Sequence, residues 1–315
     1  MDVLLIGGSG FVGSAVARRL HAAGARVTVP TRRRERAKHL LVLPTVEVVE
    51  ADVHDDGTLS RLVAGRDAVI NLVGVLKGGE GVPYGKGFAR AHVDLPGRIA
   101  RAAVAAGVPR LVHMSALQAA ADAPSGYLRS KAAGEAAVRT CEPGLAVTIF
   151  RPSVIFGDGD SFLTLFAGLL KLAPLVPLAC PEARFQPVWV EDVAAAFVAA
   201  LFRPESAGRA YDLGGPKAYA LRQLVEYAGT VSGHRRPILG LPPALSYLQA
   251  LAMEWLPGGP MTRDNVRSMS LPSVCPEGST FPFDIPPRTL EAVAPGYLGP
   301  EPPGGFDTLR ARVGR

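Results

Sequence analysis

Tyr127 and Lys131 stand four residues apart in GYLRSKAAGEAAVR. The alanines and the glutamate of that stretch favour helix, which places both side chains on one face, one turn from each other. Such a pair can carry acid–base chemistry. A phenol titrates at about 10 and is protonated at neutral pH, while an ammonium beside it favours the phenolate. A tyrosine tuned in this way can give or take a proton as a bond to carbon is made or broken. The expectation is Tyr127 as general acid/base, with Lys131 depressing its pKa. Ser115, twelve residues earlier at the end of RLVHMSAL, adds a hydroxyl able to orient a substrate oxygen.

These side chains need a scaffold and a reaction partner, and the start of the chain carries signals for both. MDVLLIGGSGFVGSAVARRL begins with a continuous apolar run, Val3 to Ile6, as in a strand buried on both faces of a parallel sheet. Gly7, Gly8, Gly10 and Gly13 follow, and Val12, Val16 and Leu20 then recur at helical spacing until Gly24. A strand-to-helix turn of this kind lets the backbone approach a ligand closely. The helix start offers N–H groups and a positive dipole end to a pyrophosphate. Gly7, Ser9, Gly10, Phe11, Val12 and Gly13 are the predicted contacts in that turn. After a second predicted strand, Ala25 to Val29, come Thr31, Arg32, Arg33 and Arg34, where an acidic residue would bind a free ribose 2′-hydroxyl. Guanidiniums without a carboxylate suit a 2′-phosphate. Arg32 and Arg33 are predicted to hold it, which favours NADP(H), with NAD(H) as the alternative. Asp52, with Val53, follows the third strand and can accept from an adenine amino group or cap a turn. Asn71 and Gly74 close the fourth, near where the middle of the cofactor would lie. Beside a nicotinamide, Lys131 would also hold the ribose hydroxyls.

The 315 residues are 48% hydrophobic and 20% charged, enough apolar material for a large ordered core. Much of the net charge of +6 lies in the first βαβ unit and lacks interleaved aromatics, so a phosphate-bearing cofactor is expected and a nucleic acid is not. Cys141, Cys180 and Cys275 are odd in number and widely spaced, which points to a reducing compartment. A strand beginning at residue 3 leaves no room for a signal peptide, and no apolar stretch reaches the ~20 residues of a membrane span. Pro237 to Met253 is charge-free but broken by three prolines, so it reads as a sticky surface. Asp158 and Asp160 in FGDGDSF read as turn formers, and no metal is assigned. Strand signals in VEVVEADV, DAVINLVGV, RLVHMSAL and AVTIFRPSVIFG alternate with helical stretches. The expected fold is therefore α/β, a doubly wound parallel sheet. Residues 1–157 with 186–214 are expected to form it. Residues 158–185 with 215–315 would make a smaller, partly interleaved C-terminal lobe for substrate or partner.

The glycine turn, Asp52-Val53, Ser115, Tyr127-x-x-x-Lys131 and Arg151-Pro152 together resemble the extended short-chain dehydrogenase/reductase superfamily, a Rossmann-type fold. The resemblance implies that Pro152, with Ser153 and Val154, lies beside the nicotinamide. YLRSKAAGE, RPSVIFGDGDSFLTLF, QPVWVEDVA, the GP of GGPKAY and MTRDNVRSMSLPS are similar to an atypical branch of it. That branch holds the nucleotide-binding accessory subunit of respiratory complex I, bacterial epimerase-like proteins and relatives tied to ubiquinone biosynthesis. It implies an NAD(P)H-binding oxidoreductase-type protein, acting on a quinone-like or other apolar carbonyl substrate. The alternatives are a non-catalytic NADPH-binding accessory protein of a membrane-associated complex and a nucleotide-sugar epimerase/dehydratase. The expected place is the cytoplasm, or the inner face of a bacterial membrane as a peripheral protein.

Overall fold

The computed structural model describes residues 1–142, 144–256 and 259–299. Seven strands form one parallel sheet: β1 (Asp2–Ile6), β2 (Arg26–Thr31), β3 (Val46–Glu50), β4 (Ala68–Asn71), β5 (Arg110–Met114), β6 (Ala146–Pro152) and β11 (Ala210–Leu213). Their order is β11-β6-β5-β4-β1-β2-β3, so the winding reverses between β1 and β4. Side chains alternate across the strands with period two. In β1, Val3 and Leu5 face one core cluster while Leu4 and Ile6 face another. That explains the unbroken apolar run.

Helices cover both faces. α1 (Phe11–Ala22) and, later in the chain, α7 (Val190–Leu201) bring Val16, Leu20, Val193 and Phe197 to one. α2 (Asp56–Val63), α4 (Leu95–Ala105) and α5 (Gly126–Arg139) bring Leu59, Ile99 and Val138 to the other. Between α2 and α4 lies the single turn α3 (Lys86–Phe88), which continues into a π-helical turn over Ala89–Asp94.

The remaining strands pair off in two-stranded ribbons outside the large sheet. β7 (Ile155–Phe156) pairs with β10 (Val188–Trp189), β9 (Arg184–Phe185) with β12 (Tyr219–Ala220), and β8 (Val176–Leu178) with β13 (Ile238–Gly240). With α6 (Leu163–Leu172) and α8 (Leu221–Val231), β8 and β13 enclose a core of their own, around Leu170, Val176, Leu178, Leu221 and Val225, while Ile155 and Val188 join the core of the large sheet. α9 (Pro243–Glu254), α10 (Arg263–Ser268), α11 (Leu290–Val293) and α12 (Pro295–Leu298) complete the described chain. The FGDGDSF turn is organised by Asp160, whose carboxylate accepts from the N–H groups of Gly157, Phe162 and Thr164 and from the Tyr297 hydroxyl. No described helix is long and apolar enough to cross a membrane.

Candidate functional site

In a sheet wound in both directions, ligands bind beyond the carboxyl ends of the strands, at the point where the winding reverses. Here that crevice opens between the loops after β1 and β4. Gly7 turns the chain with φ +86°, Gly10 donates to its carbonyl at 3.1 Å, and α1 starts with no side chain on its first N–H groups. The glycines differ in purpose. A Cβ on Gly13 would lie 2.3 Å from the Gly7 oxygen and 2.5 Å from the Gly8 Cα, so helix and turn touch there. A Cβ on Gly10 would meet only the Gly7 oxygen, at 3.4 Å. Packing therefore demands Gly13, and Gly10 leaves backbone open to whatever occupies the crevice. Ser9 and Val12 are half-buried, and the ring of Phe11 reaches the loop at Gly157.

β2 ends at Thr31, buried, whose hydroxyl bonds the Arg33 carbonyl at 3.1 Å. Arg32 and Arg33 follow at once and are exposed. Asp52 is exposed as well. One of its oxygens accepts from the His54 N–H at 3.0 Å, as a turn former, and the other is open. Val53 is half-buried against the core. Asn71 behaves differently from its neighbours. Its amide is spent inside, accepting from the Val73 N–H at 3.2 Å and meeting His113 Nδ1 at 3.1 Å, so its side chain is not at the crevice surface. Gly74 lies against Lys131, where a Cβ would stand 3.3 Å from Nζ.

α5 presents Tyr127 on its first turn and Lys131 on its second. Lys131 is 2% exposed, and its ammonium donates to the carbonyl of Met114 at 3.2 Å, with that of Val73 at 3.5 Å. Burial lowers its pKa to about 8, against the pull of Glu135 one turn further on. Glu135 is itself held by both arms of Arg151, at 2.8 and 2.5 Å. The expected depression of Tyr127 is overturned. Burial raises its phenol to about 12, because removing the phenolate from water outweighs an ammonium that is turned toward backbone carbonyls. Ser115 sits just past β5, 3% exposed, and its hydroxyl has no hydrogen-bond partner. A buried hydroxyl without a partner is costly unless a ligand completes it. Pro152 ends β6, Val154 lies in the short link to β7, and Ser153 is turned inward, donating to the Ser273 carbonyl at 2.7 Å.

Several residues at this site carry no sequence signal. His92, in the π-helical turn, accepts from the Val75 N–H at Nε2 (2.9 Å), so Nδ1 carries the proton and donates to Ser130 at 2.8 Å. Burial and the Lys131 charge hold it neutral, at about 2. Its ring meets Tyr127 edge-on at 5.5 Å and fixes the phenol from one side. His113 is likewise neutral, at about 3, through burial. Asp264 accepts from the N–H groups of Gly126 and Tyr127 at 2.7 and 2.9 Å.

An open glycine turn on an uncapped helix, Gly74 beside Lys131 and an unpartnered Ser115 fit a bound dinucleotide with its reacting end near Tyr127. Likeness to known proteins points the same way. Residues 3–214 match the model of the NAD dependent epimerase/dehydratase family. The chain is 35% identical over 229 residues to the mouse (Mus musculus) mitochondrial NADH dehydrogenase [ubiquinone] 1 alpha subcomplex subunit 9, covering 71% of this chain and 59% of that protein. It is 36% identical over 200 residues to a ceramide reductase of Caulobacter vibrioides, covering 62% of this chain and 60% of that one. The chain thus spans about three fifths of the length of both relatives. The fold matches dTDP-glucose 4,6-dehydratase of Streptomyces venezuelae, solved as a double mutant with NAD, at TM-score 0.67 and 24% identity over 77% of this chain and 85% of that one. The chain belongs to the NAD dependent epimerase/dehydratase family, within the extended short-chain dehydrogenases/reductases.

Proposed function

We propose that the chain is an NADP(H)-dependent reductase of an apolar carbonyl or quinone-like substrate. The observation that carries this reading is the trio at the crevice: a phenol held protonated, an ammonium one turn away, and an unpartnered serine hydroxyl. A bound nicotinamide supplies a hydride. Tyr127, protonated at neutral pH, delivers a proton to the carbonyl oxygen. Ser115 donates to the same oxygen and orients it. Lys131 holds ribose hydroxyls. Arg32 and Arg33 take the 2′-phosphate, and Asp52 has a free oxygen for the adenine amine.

The substrate class rests on the elements beyond the large sheet, 158–185 and 215–315, proposed as the lobe that receives it. They expose Leu172, Leu175, Leu239 and Leu248, an apolar surface better matched to a lipid-like substrate than to a sugar diphosphate. The similarity to a protein named ceramide reductase supports a lipid-like carbonyl. For this reason a nucleotide-sugar epimerase ranks last. The test is single-turnover oxidation of bound NADPH by long-chain ketones and short-tail quinones. Loss of that oxidation in Tyr127→Phe supports the reading, and none in the unaltered protein sinks it.

The second reading is a non-catalytic NADPH-binding accessory protein at a membrane complex, placed at the inner face of the membrane. It is favoured by the likeness to a respiratory-complex subunit and by the exposed Trp255 and Leu256 after α9. Recovery of partners from gently solubilised membranes tests it.

A further inference from the structure

We infer that Asp264, on the short helix α10 late in the chain, is a positioning residue for Tyr127: its carboxylate closes the amino end of α5 and so sets where the phenol stands. The inference rests on the reading of Tyr127 as proton donor.

The first N–H groups of a helix have no partner within it. At α5 the Ser125 hydroxyl takes that of Leu128 at 3.2 Å. The two before it, Gly126 and Tyr127, each go to one oxygen of Asp264, which is 8% exposed and lies 138 residues away in sequence from Gly126. A carboxylate suits this place because it offers two acceptors and a negative charge to the positive helix end. No residue adjoining α5 in sequence supplies them.

Asp264 is held by groups outside α5. Thr262 and Asn265 cap α10 reciprocally, at 2.8 and 3.3 Å. Arg263 is fixed to Glu254 of α9 by its N–H and its side chain, at 2.7 and 3.0 Å. Arg267 reaches Glu80 at 3.2 Å, in the loop after β4, and Lys77 of that loop donates to the Gly259 carbonyl. The same loop lies against α5, with Tyr84 beside Gly126 and the Pro83 carbonyl bonded by Arg129 at 2.7 Å. Because α10 is anchored from two sides, Asp264 imposes the position of the α5 start. A displacement of the reacting groups by about 1 Å can cost about a hundredfold in rate.

The test follows Tyr127 by NMR of 13Cζ-labelled tyrosine, assigned with Tyr127→Phe, beside NADPH affinity and single-turnover rate. The variants are Asp264→Ala, Asp264→Asn and Asp264→Glu. Asparagine would turn its NH2 toward one of the two N–H donors, whereas glutamate keeps both acceptors. Thr289→Ala, which removes the cap of α11, controls for lost stability alone. In the unaltered protein burial pushes Tyr127 up to about 12. In the Ala and Asn variants it should fall by at least about one unit toward 10 as water reaches the helix start. The rate should fall about tenfold or more at an NADPH affinity within about twofold, and Glu should restore most of both. Unchanged Tyr127 titration and rate per folded molecule, with only the stability loss seen in Thr289→Ala, overturns the inference. If the unaltered protein turns over no carbonyl, the functional reading fails on that result, and the titration still decides the role of Asp264.

Discussion

Lys131, buried, and Tyr127, half-buried, have preferred states that suit one another only in a limited pH range. Near neutral pH the ammonium, lowered to about 8, is still charged, and the phenol, raised to about 12, is still protonated. The consequence for stability has a definite sign. An unfolded lysine keeps its proton to about 10.4, so between about pH 8 and 10 the unfolded chain binds more protons and folding becomes more favourable as pH rises. The unaltered protein should gain up to ~2 kcal/mol over that range relative to Lys131→Met, in denaturant titrations at stepped pH. A flat difference would mean that the ammonium is solvated. Tyr127→Phe should lose about a hundredfold or more in turnover while NADPH affinity stays within about twofold. The tyrosine–lysine spacing was legible in the chain because helix geometry alone places residues four apart on one face. The direction of the tyrosine shift was not, because it depends on burial by His92 and Phe88, residues about forty positions away in sequence.

The turn between β1 and α1 separates two uses of glycine that the sequence shows as one motif. Gly13→Ala would drive a methyl into the Gly7 carbonyl, so thermal unfolding should shift down by an amount equal to ~2–3 kcal/mol. Gly10→Ala has room and should leave stability within ~1 kcal/mol, yet weaken NADPH about tenfold by occupying backbone that a pyrophosphate approaches. Equal effects of the two on affinity and stability would deny Gly10 a ligand role. The long strands and helices could be placed from periodicity. The two-residue ribbons could not, since Val188–Trp189 pairs with Ile155–Phe156 through contacts no local pattern encodes. The same holds for the start of α5, whose first two N–H groups are taken by Asp264 from far along the chain.

The whole molecule joins a basic end of the sheet to an apolar outer layer. Arg32 and Arg33 stand exposed after β2, while Leu172, Leu239 and Leu248 are exposed on α6, β13 and α9. The first half of that contrast was written in the sequence as an arginine run without a carboxylate. The second was legible only as apolar composition, because which leucines remain outside depends on how the ribbons pack. Cofactor choice is the claim on which the reductase and accessory readings both stand. The decisive measurement is a nicotinamide-fluorescence titration with NADPH and NADH, on the unaltered chain and on an Arg32→Ser/Arg33→Ser double variant. NADPH should bind about tenfold or more tightly than NADH, and the double variant should lose that preference while keeping NADH affinity. Binding of neither nucleotide would contradict the account, and equal binding of both, unmoved by the double variant, would contradict its assignment of the arginines.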